Sequence, residues 1–301
     1  MATSVIFLLG PTASGKTDLA MHWAERYPIE IISVDSAMIY RGMDIGTAKP
    51  SLAEQARVPH HLIDICDPAE RYSVAQFCQQ VQQLIPEILA RERIPVLVGG
   101  TMLYYRALLY GLSELPAADP VIRAELLRRA QQEGWASLHA SLEAIDPVSY
   151  AKISPNDTQR IQRALEVYQQ TGRPISADWA QADIQFEWPF RLCGLMPASR
   201  EALHAKIALR FQQMLEQGFV EEVEHLFQLG DLDLSLPAMR CVGYRQVWQM
   251  LQGECTYTEM SDRAVAATRQ LAKRQLTWLR HWPTDIHWVS EDAPDLGVFT
   301  F

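Results

Sequence analysis

Hydrophobic positions along the chain first alternate between two periods. Val5-Ile6-Phe7-Leu8-Leu9 is an unbroken apolar run, the pattern of a strand covered on both faces. Residues 17–26 then carry Leu19, Ala20 and Trp23 at helical spacing, and Ile29-Glu30-Ile31-Ile32-Ser33-Val34-Asp35 predicts a second strand that ends on a carboxylate. Residues 72–90 predict a helix with Val74, Phe77, Val81, Leu84 and Ile85 on one face. Ile94-Pro95-Val96-Leu97-Val98 predicts a third strand, closed by Gly99-Gly100-Thr101. Between Pro116 and Pro197 the alternation stops. Asp119-Pro120, Asp146-Pro147, Ser154-Pro155-Asn156-Asp157 and Gly172-Arg173-Pro174 punctuate short helices, with no clear strand before Phe190–Leu195. One long helix over residues 200–229, a loop and two more helices complete the chain. The expected fold class is α/β: a core of residues 1–115 and 198–301, interrupted by a mostly helical insertion at 116–197.

The first turn carries the strongest chemical signal. Gly10-Pro11-Thr12-Ala13-Ser14-Gly15-Lys16-Thr17 fits G-x-x-x-x-G-K-[ST] between a predicted strand and a predicted helix, the context in which this pattern forms a phosphate cradle. The glycines let the backbone curl around an anion, and the helix N-terminus adds its positive dipole end. Lys16 is placed to pair with a phosphoryl oxygen and Thr17 to ligate Mg²⁺. Asp35 and Thr101 stand at the carboxyl ends of strands, where doubly wound sheets bind ligands, so one crevice collects them with Lys16. Asp35 reads as a general base or, as in nucleotide kinases, a carboxylate that holds magnesium through the ion's bound water, against a plain capping role. Arg210 lies on the long helix, where spacing alone makes it an ordinary solvated arginine. His60-His61 has no carboxylate at ligand spacing and reads as structural.

Composition narrows the setting. The chain has 301 residues, 48% hydrophobic and 21% charged, which is ordinary for a globular enzyme. No apolar run is long enough to span a bilayer, and the N-terminus lacks a leader pattern. The five cysteines are scattered without a C-x-x-C pair, arguing for a reducing cytoplasm and against structural zinc. No unpaired hydrophobic stripe demands a second copy, so a monomer is expected. The net charge of −9 does not advertise a nucleic-acid partner, yet residues 262–281 hold five cations and one acid. Drawn as a helix, Arg263, Arg269, Lys273, Arg274 and Arg280 share an arc of roughly 140°. Within that segment they have no i,i+4 acidic partners, so they repel one another unless an anion such as a phosphodiester backbone relieves them. Gln159-Arg160-Ile161-Gln162-Arg163, on a helix capped by Asn156 or Asp157, and Arg240-Cys241-Val242-Gly243-Tyr244-Arg245 have the same flavour, and in the second the arginines accompany a tyrosine, a combination that suits unpaired RNA.

Together these pieces closely resemble the tRNA dimethylallyltransferase family, the tRNA isopentenyltransferases. The matching stretches are the phosphate loop, residues 33–40, 46–50 and 59–64, Gly99-Gly100-Thr101, residues 156–165 and residues 240–245. The resemblance implies a P-loop NTPase-like core, a parallel sheet flanked by helices, in which the phosphate loop holds dimethylallyl diphosphate. It also implies transfer of the dimethylallyl group to N6 of the adenosine on the 3′ side of the anticodon. Asp35 would accept the amine proton while Lys16, Mg²⁺ on Thr17, Thr101 and Arg210 stabilise the departing diphosphate. Contacts to tRNA would come from Asp35-Ser36-Ala37-Met38, Thr101, Arg123, residues 159–163 and 240–245, and Lys273-Arg274-Gln275-Leu276-Thr277-Trp278-Leu279-Arg280. The insertion would embrace the anticodon stem-loop. Eukaryotic relatives carry a C-terminal zinc finger. No cysteine follows Cys255 here, so the short bacterial form is expected.

Two other readings compete. A P-loop kinase of a small metabolite or nucleotide accounts for Lys16, Thr17 and Asp35 but leaves the cationic segments idle. A GTPase switch would need the N-K-x-D guanine motif, which is missing since Asn156 is the only asparagine, and a binding-only RNA module would tolerate Asp35→Ala.

Overall fold

The computed structural model describes residues 4–112, 115–178 and 184–289. The chain forms two compact units, one of Met1–Ala107 with Glu187–Phe301 and one of Leu108–Phe186. In order run β1 (Val5–Leu9), α1 (Lys16–Ala24), β2 (Ile29–Val34), α2 (Leu52–Arg57), β3 (His60–His61), α3 (Val74–Ala90), β4 (Ile94–Gly99) and α4 (Met102–Tyr110). Then come α5 (Pro120–Glu133), α6 (Trp135–Ile145), α7 (Pro147–Lys152) and α8 (Thr158–Thr171), followed by β5 (Phe190–Leu195). The last elements are α9 (Arg200–Glu216), α10 (Phe219–Gln228), α11 (Tyr244–Leu251), α12 (Tyr257–Arg280) and β6 (His287–Val289).

The first unit is built on a six-stranded sheet in the order β3-β2-β4-β1-β5-β6, with every neighbouring pair parallel. β1, β2 and β4 are buried at every position, as unbroken apolar strands covered on both faces should be. Tyr105 of α4 donates its hydroxyl to the Leu8 and Leu97 carbonyls at 3.0 and 3.1 Å, pinning the helix over β1 and β4. At Gly99 a Cβ would stand 2.0 Å from the Val34 carbonyl oxygen, so only glycine lets β4 end this close to β2. The Thr101 amide, two residues on, donates to the same carbonyl. The α/β core expected from the alternation is therefore present. Among the described residues no helix is long and apolar enough to cross a membrane.

Two boundaries differ from the sequence expectation. Phe190–Leu195 pairs with β1 from Val5↔Phe190 to Leu9↔Gly194, so the chain is back in the sheet well before Pro197. The helix expected over 200–229 is two helices, because Gly218 adopts φ 96° between α9 and α10, a conformation costly for any residue with a side chain. The apolar stripe continues across the break, which hides it from periodicity.

The helical unit packs Leu126, Leu138, Leu142, Ile161 and Leu165 into its own core. Asp119, Asp146 and Asp157 each cap the helix that follows through a side-chain oxygen. Within the unit, the buried Glu166 accepts from Arg123 Nε and Nη2, from Arg163 Nη1 and from the Asp119 amide. Burial pushes its carboxyl up, but the bonds from the two arginines outweigh that and hold it below the usual carboxylate range. Glu166→Ala is expected to destabilise this unit by about 2 kcal/mol, below the 3–5 typical of a broken buried ion pair, because both guanidiniums reach water. Faster amide exchange in α5 and α8 would register the loss; unchanged protection would contradict it.

Candidate active site

The site forms where β1, β2 and β4 end. Leu9 hands over to a loop whose last residue before α1, Gly15, adopts φ 83°, and Ala13 adopts φ 61°, a left-handed conformation that alanine rarely holds. Such strain persists only where the surroundings enforce it. The loop wraps the N-terminus of α1, whose first amides have no partner within the helix and form an anion site. Lys16 opens that helix and donates from Nζ to the Pro11 carbonyl at 3.0 Å. Burial pushes its ammonium down to about 8, Asp35 pulls it back up, and Arg210 pushes it down. Arg210, on α9, is lowered by burial and raised by Asp35 and Asp18. The three charges that the sequence scatters over 195 positions thus share one local field, in which the carboxylate acts on both cations.

Asp35 caps the turn that follows β2. Its Oδ1 accepts from the Ala37 amide at 2.8 Å and the Met38 amide at 3.4 Å. Thr101 Oγ1 accepts from the Ser36 amide at 3.2 Å. Asp35 also reaches the Arg240–Arg245 segment: the Cys241 thiol is pushed up to about 12, mainly by burial and then by the Asp35 charge. Tyr104 is raised to about 12 by the same pair of causes. A groove of about 640 Å³ is lined by Lys16, Thr17, Asp18, Lys49 and Arg210 among others, whereas Asp35 and Thr101, expected in the same crevice, are not among its lining residues. Lys49 is almost wholly buried and committed to structure, donating to Asp44 and Asp64 and to the Tyr40 carbonyl.

Of the residues singled out in the sequence, Lys16, Asp35, Thr101, Arg210 and Cys241 come together in the first unit. Ser36, Arg240, Arg245, Lys273, Arg274, Thr277 and Arg280 are exposed there, and Ala37, Met38, Val242, Leu276 and Trp278 are half-buried. Arg106 sits 5.9 Å from the Trp278 ring centroid. Five assignments to an RNA surface do not fit their surroundings: Tyr244, Gly243, Leu279, Gln275 and Ile161. Tyr244 is fully buried, packed edge-on against Phe219 at 5.0 Å, and its hydroxyl donates to Glu222, so no base can stack on it. Gly243 is buried beside it, and Leu279 is core. Gln275 is also buried, and its amide is spent on the phosphate-loop side of the site. In the helical unit Gln159 and Arg160 are exposed, whereas Ile161 is core. Arg123 and Arg163 are bound to Glu166, and Gln162 donates to the Arg123 carbonyl.

The cationic helix is longer than the segment first drawn. It begins at Tyr257, with a Thr256–Glu259 capping box, and Glu259 lies 3.9 Å from Arg263. An i,i+4 acid therefore exists for one of the five cations. His61 lies 2.7 Å from the buried Glu30, which also takes two bonds from Arg91, at the amino end of the sheet. His60 Nδ1 meets the Val58 carbonyl. Both are structural. Among the described residues no group of three or more His, Cys, Asp or Glu side chains is arranged to hold a metal.

Two acids escaped the sequence reading. Glu222 collects the amides of Asp44, Ile45 and Gly46 as well as the Tyr244 hydroxyl, tying α10 to the 44–46 turn and to α11. Nothing in its local sequence marks it. Glu166 is the lone acid on an arginine-rich helix, three residues after Arg163, and that spacing was a usable signal.

Comparison with known proteins gives the site its relatives. A family model described as IPP transferase matches residues 38–282. The chain is 57% identical over 305 residues to tRNA dimethylallyltransferase of Burkholderia pseudomallei, covering 99% of this chain and 93% of the relative. It is 54% identical over 305 residues to tRNA dimethylallyltransferase 2 of Hahella chejuensis, covering 97% and 92%. Among solved structures it is similar to the tRNA isopentenylpyrophosphate transferase of Bacillus halodurans, with TM-score 0.68 and 38% identity over 96% of this chain and 90% of that one. It is also similar to a eukaryotic dimethylallyltransferase acting on tRNA, with TM-score 0.78 and 26% identity, covering 96% of this chain and 74% of that one. The chain belongs to the IPP transferase family.

Proposed function

We propose that the protein transfers the dimethylallyl group of dimethylallyl diphosphate to N6 of the adenosine on the 3′ side of the anticodon in tRNA, releasing diphosphate. The observation that carries this reading is the Asp35 carboxylate, fixed by two backbone amides and acting electrostatically on both Lys16 and Arg210. A base that shares its electrostatic field with two cations suits a reaction that removes a proton from one partner while the other sheds a polyanion. As the bond from N6 to the allylic carbon forms, the bond from that carbon to the diphosphate oxygen breaks, and the N6 proton passes to Asp35. Lys16 and Arg210 balance the charge gathering on the departing diphosphate. Thr101 holds Ser36 through its amide and so keeps the Asp35–Met38 turn in register.

The residues present also fit a magnesium ion. Magnesium is held by one or two protein oxygens together with substrate phosphates, and the Thr17 hydroxyl and the Asp18 carboxylate line the same groove as Lys16. When bound, the ion would add charge neutralisation at the diphosphate. The exposed cations of α12 and of the Arg240–Arg245 segment supply the attraction for an RNA backbone, and an unpaired loop adenine leaves its stack at modest cost. The five cysteines are free, which supports an enzyme working in the reducing cytoplasm.

The test is incubation of unmodified tRNA with donor labelled in the dimethylallyl group, followed by mass spectrometry of the nucleosides. Label on adenosine N6 at the anticodon-adjacent position is expected. Phosphate transfer from ATP to a small acceptor, with unlabelled tRNA, would overturn the reading in favour of a kinase.

A further inference from the structure

The helix that carries the exposed cations also reaches inward to the phosphate loop. Gln275, on the buried side of α12, accepts from the Thr12 amide through Oε1 at 2.8 Å and donates from Nε2 to the Gly100 carbonyl at 2.9 Å. One side chain therefore clasps the loop after β1 to the turn after β4. The fit is close, since a Cβ on Gly100 would stand 2.3 Å from Nε2. A second contact supports the first: Ala13 packs against the apolar cluster of Leu203, Ile207 and Ala272, together with Leu276. Ala13 is the loop residue in the left-handed conformation. Strain of that kind needs an external brace, and α12 supplies it on both sides, through a hydrogen bond to Thr12 and packing on Ala13.

We infer that Gln275 is a positioning residue of the diphosphate site, holding the phosphate loop in its strained, anion-ready form rather than contacting RNA. The inference rests on the proposed reading of the loop as the diphosphate grip. Gly100 leads directly to Thr101, whose hydroxyl holds the Ser36 amide, so the same clasp also steadies the turn that presents Asp35. The outward residues of the helix, Lys273, Arg274 and Arg280, are exposed and have no part in it.

Three variants separate the possibilities. Gln275→Leu keeps the volume and removes both hydrogen bonds. Gln275→Glu keeps the acceptor for Thr12 and sets a carboxylate against the Gly100 carbonyl. Gly100→Ala displaces the amide without altering α12. Each is expected to weaken binding of inorganic diphosphate, titrated calorimetrically without RNA, by at least about fivefold, the scale of one to two net hydrogen bonds. The donor KM is expected to rise in parallel while kcat stays within about threefold. Affinity for an anticodon stem-loop RNA is expected to stay within about twofold. Diphosphate binding unchanged in Gln275→Leu and in Gly100→Ala would overturn the inference, as would loss of RNA affinity in step with diphosphate affinity. Diphosphate binding is read without turnover. A protein whose diphosphate grip depends on Gln275 but which prenylates no tRNA therefore refutes only the proposed reaction. One that prenylates tRNA with a Gln275-independent grip refutes only this inference.

Discussion

Asp35→Asn is expected to lower kcat by about a thousandfold while leaving RNA affinity within about twofold. General-base catalysis contributes about 10² to 10⁴ in rate, and Asp35 is the carboxylate whose charge acts on both Lys16 and Arg210. Asparagine keeps an oxygen where Asp35 Oδ1 accepts the Ala37 and Met38 amides, so the turn survives and the loss reports chemistry rather than collapse. Alanine removes the turn bonds as well and is expected to be at least as damaging. Single-turnover transfer at saturating donor and tRNA isolates the step, and filter binding gives the RNA affinity. Activity within tenfold of the parent would remove Asp35 from the proton-transfer role.

Lys16→Met is expected to cost about a thousandfold in kcat/KM for the donor, roughly 4 kcal/mol, the upper range for losing one electrostatic contact to a developing anion. The same ammonium predicts a pH signature. Without ligand it titrates near 8, far below the 10.5 of an exposed lysine, because burial outweighs the help from Asp35. Diphosphate affinity measured without divalent ions should therefore fall as pH rises above about 8. Lys16→Arg, charged throughout, should lose that dependence. Stability moves the other way. The folded pKa lies below the unfolded one, so the native state binds fewer protons between about 8 and 10.5, and stability rises with pH across that window. At neutral pH the charge is a burden on the fold, and Lys16→Met should melt no lower than the parent. An inactive variant that also melts well below the parent would leave the loss to misfolding and contradict this account.

The parts of the site that were legible in the sequence are those set by local pattern. Strand, glycine loop and helix announced Lys16 and Thr17, and the carboxylate at the end of β2 announced Asp35. What resisted reading depends on packing between distant segments. Residues 240–245, with two arginines around a tyrosine, have the composition of an RNA grip, but α11 turns Tyr244 into the apolar cluster with Phe219 and Trp248. Only Arg240 and Arg245 of that stretch stay outside. Gln275 sat unnoticed inside a basic helix because its partners, Thr12 and Gly100, lie 263 and 175 positions away. Arg210 looked like any helix arginine until α9 brought it beside Asp35. Glu222 acts through three backbone amides, and backbone amides leave no trace in a side-chain pattern.

The most direct measurement is a crystal structure with inorganic diphosphate, or an inert thio-analogue of the donor, together with an anticodon stem-loop. The expected result places the diphosphate on the 10–17 loop with Lys16 and Arg210 against its oxygens. The amino group of one everted adenine should then lie within hydrogen-bonding reach of Asp35. An adenine of ATP specifically held beside that loop, with the RNA base nowhere near Asp35, would contradict the central claim.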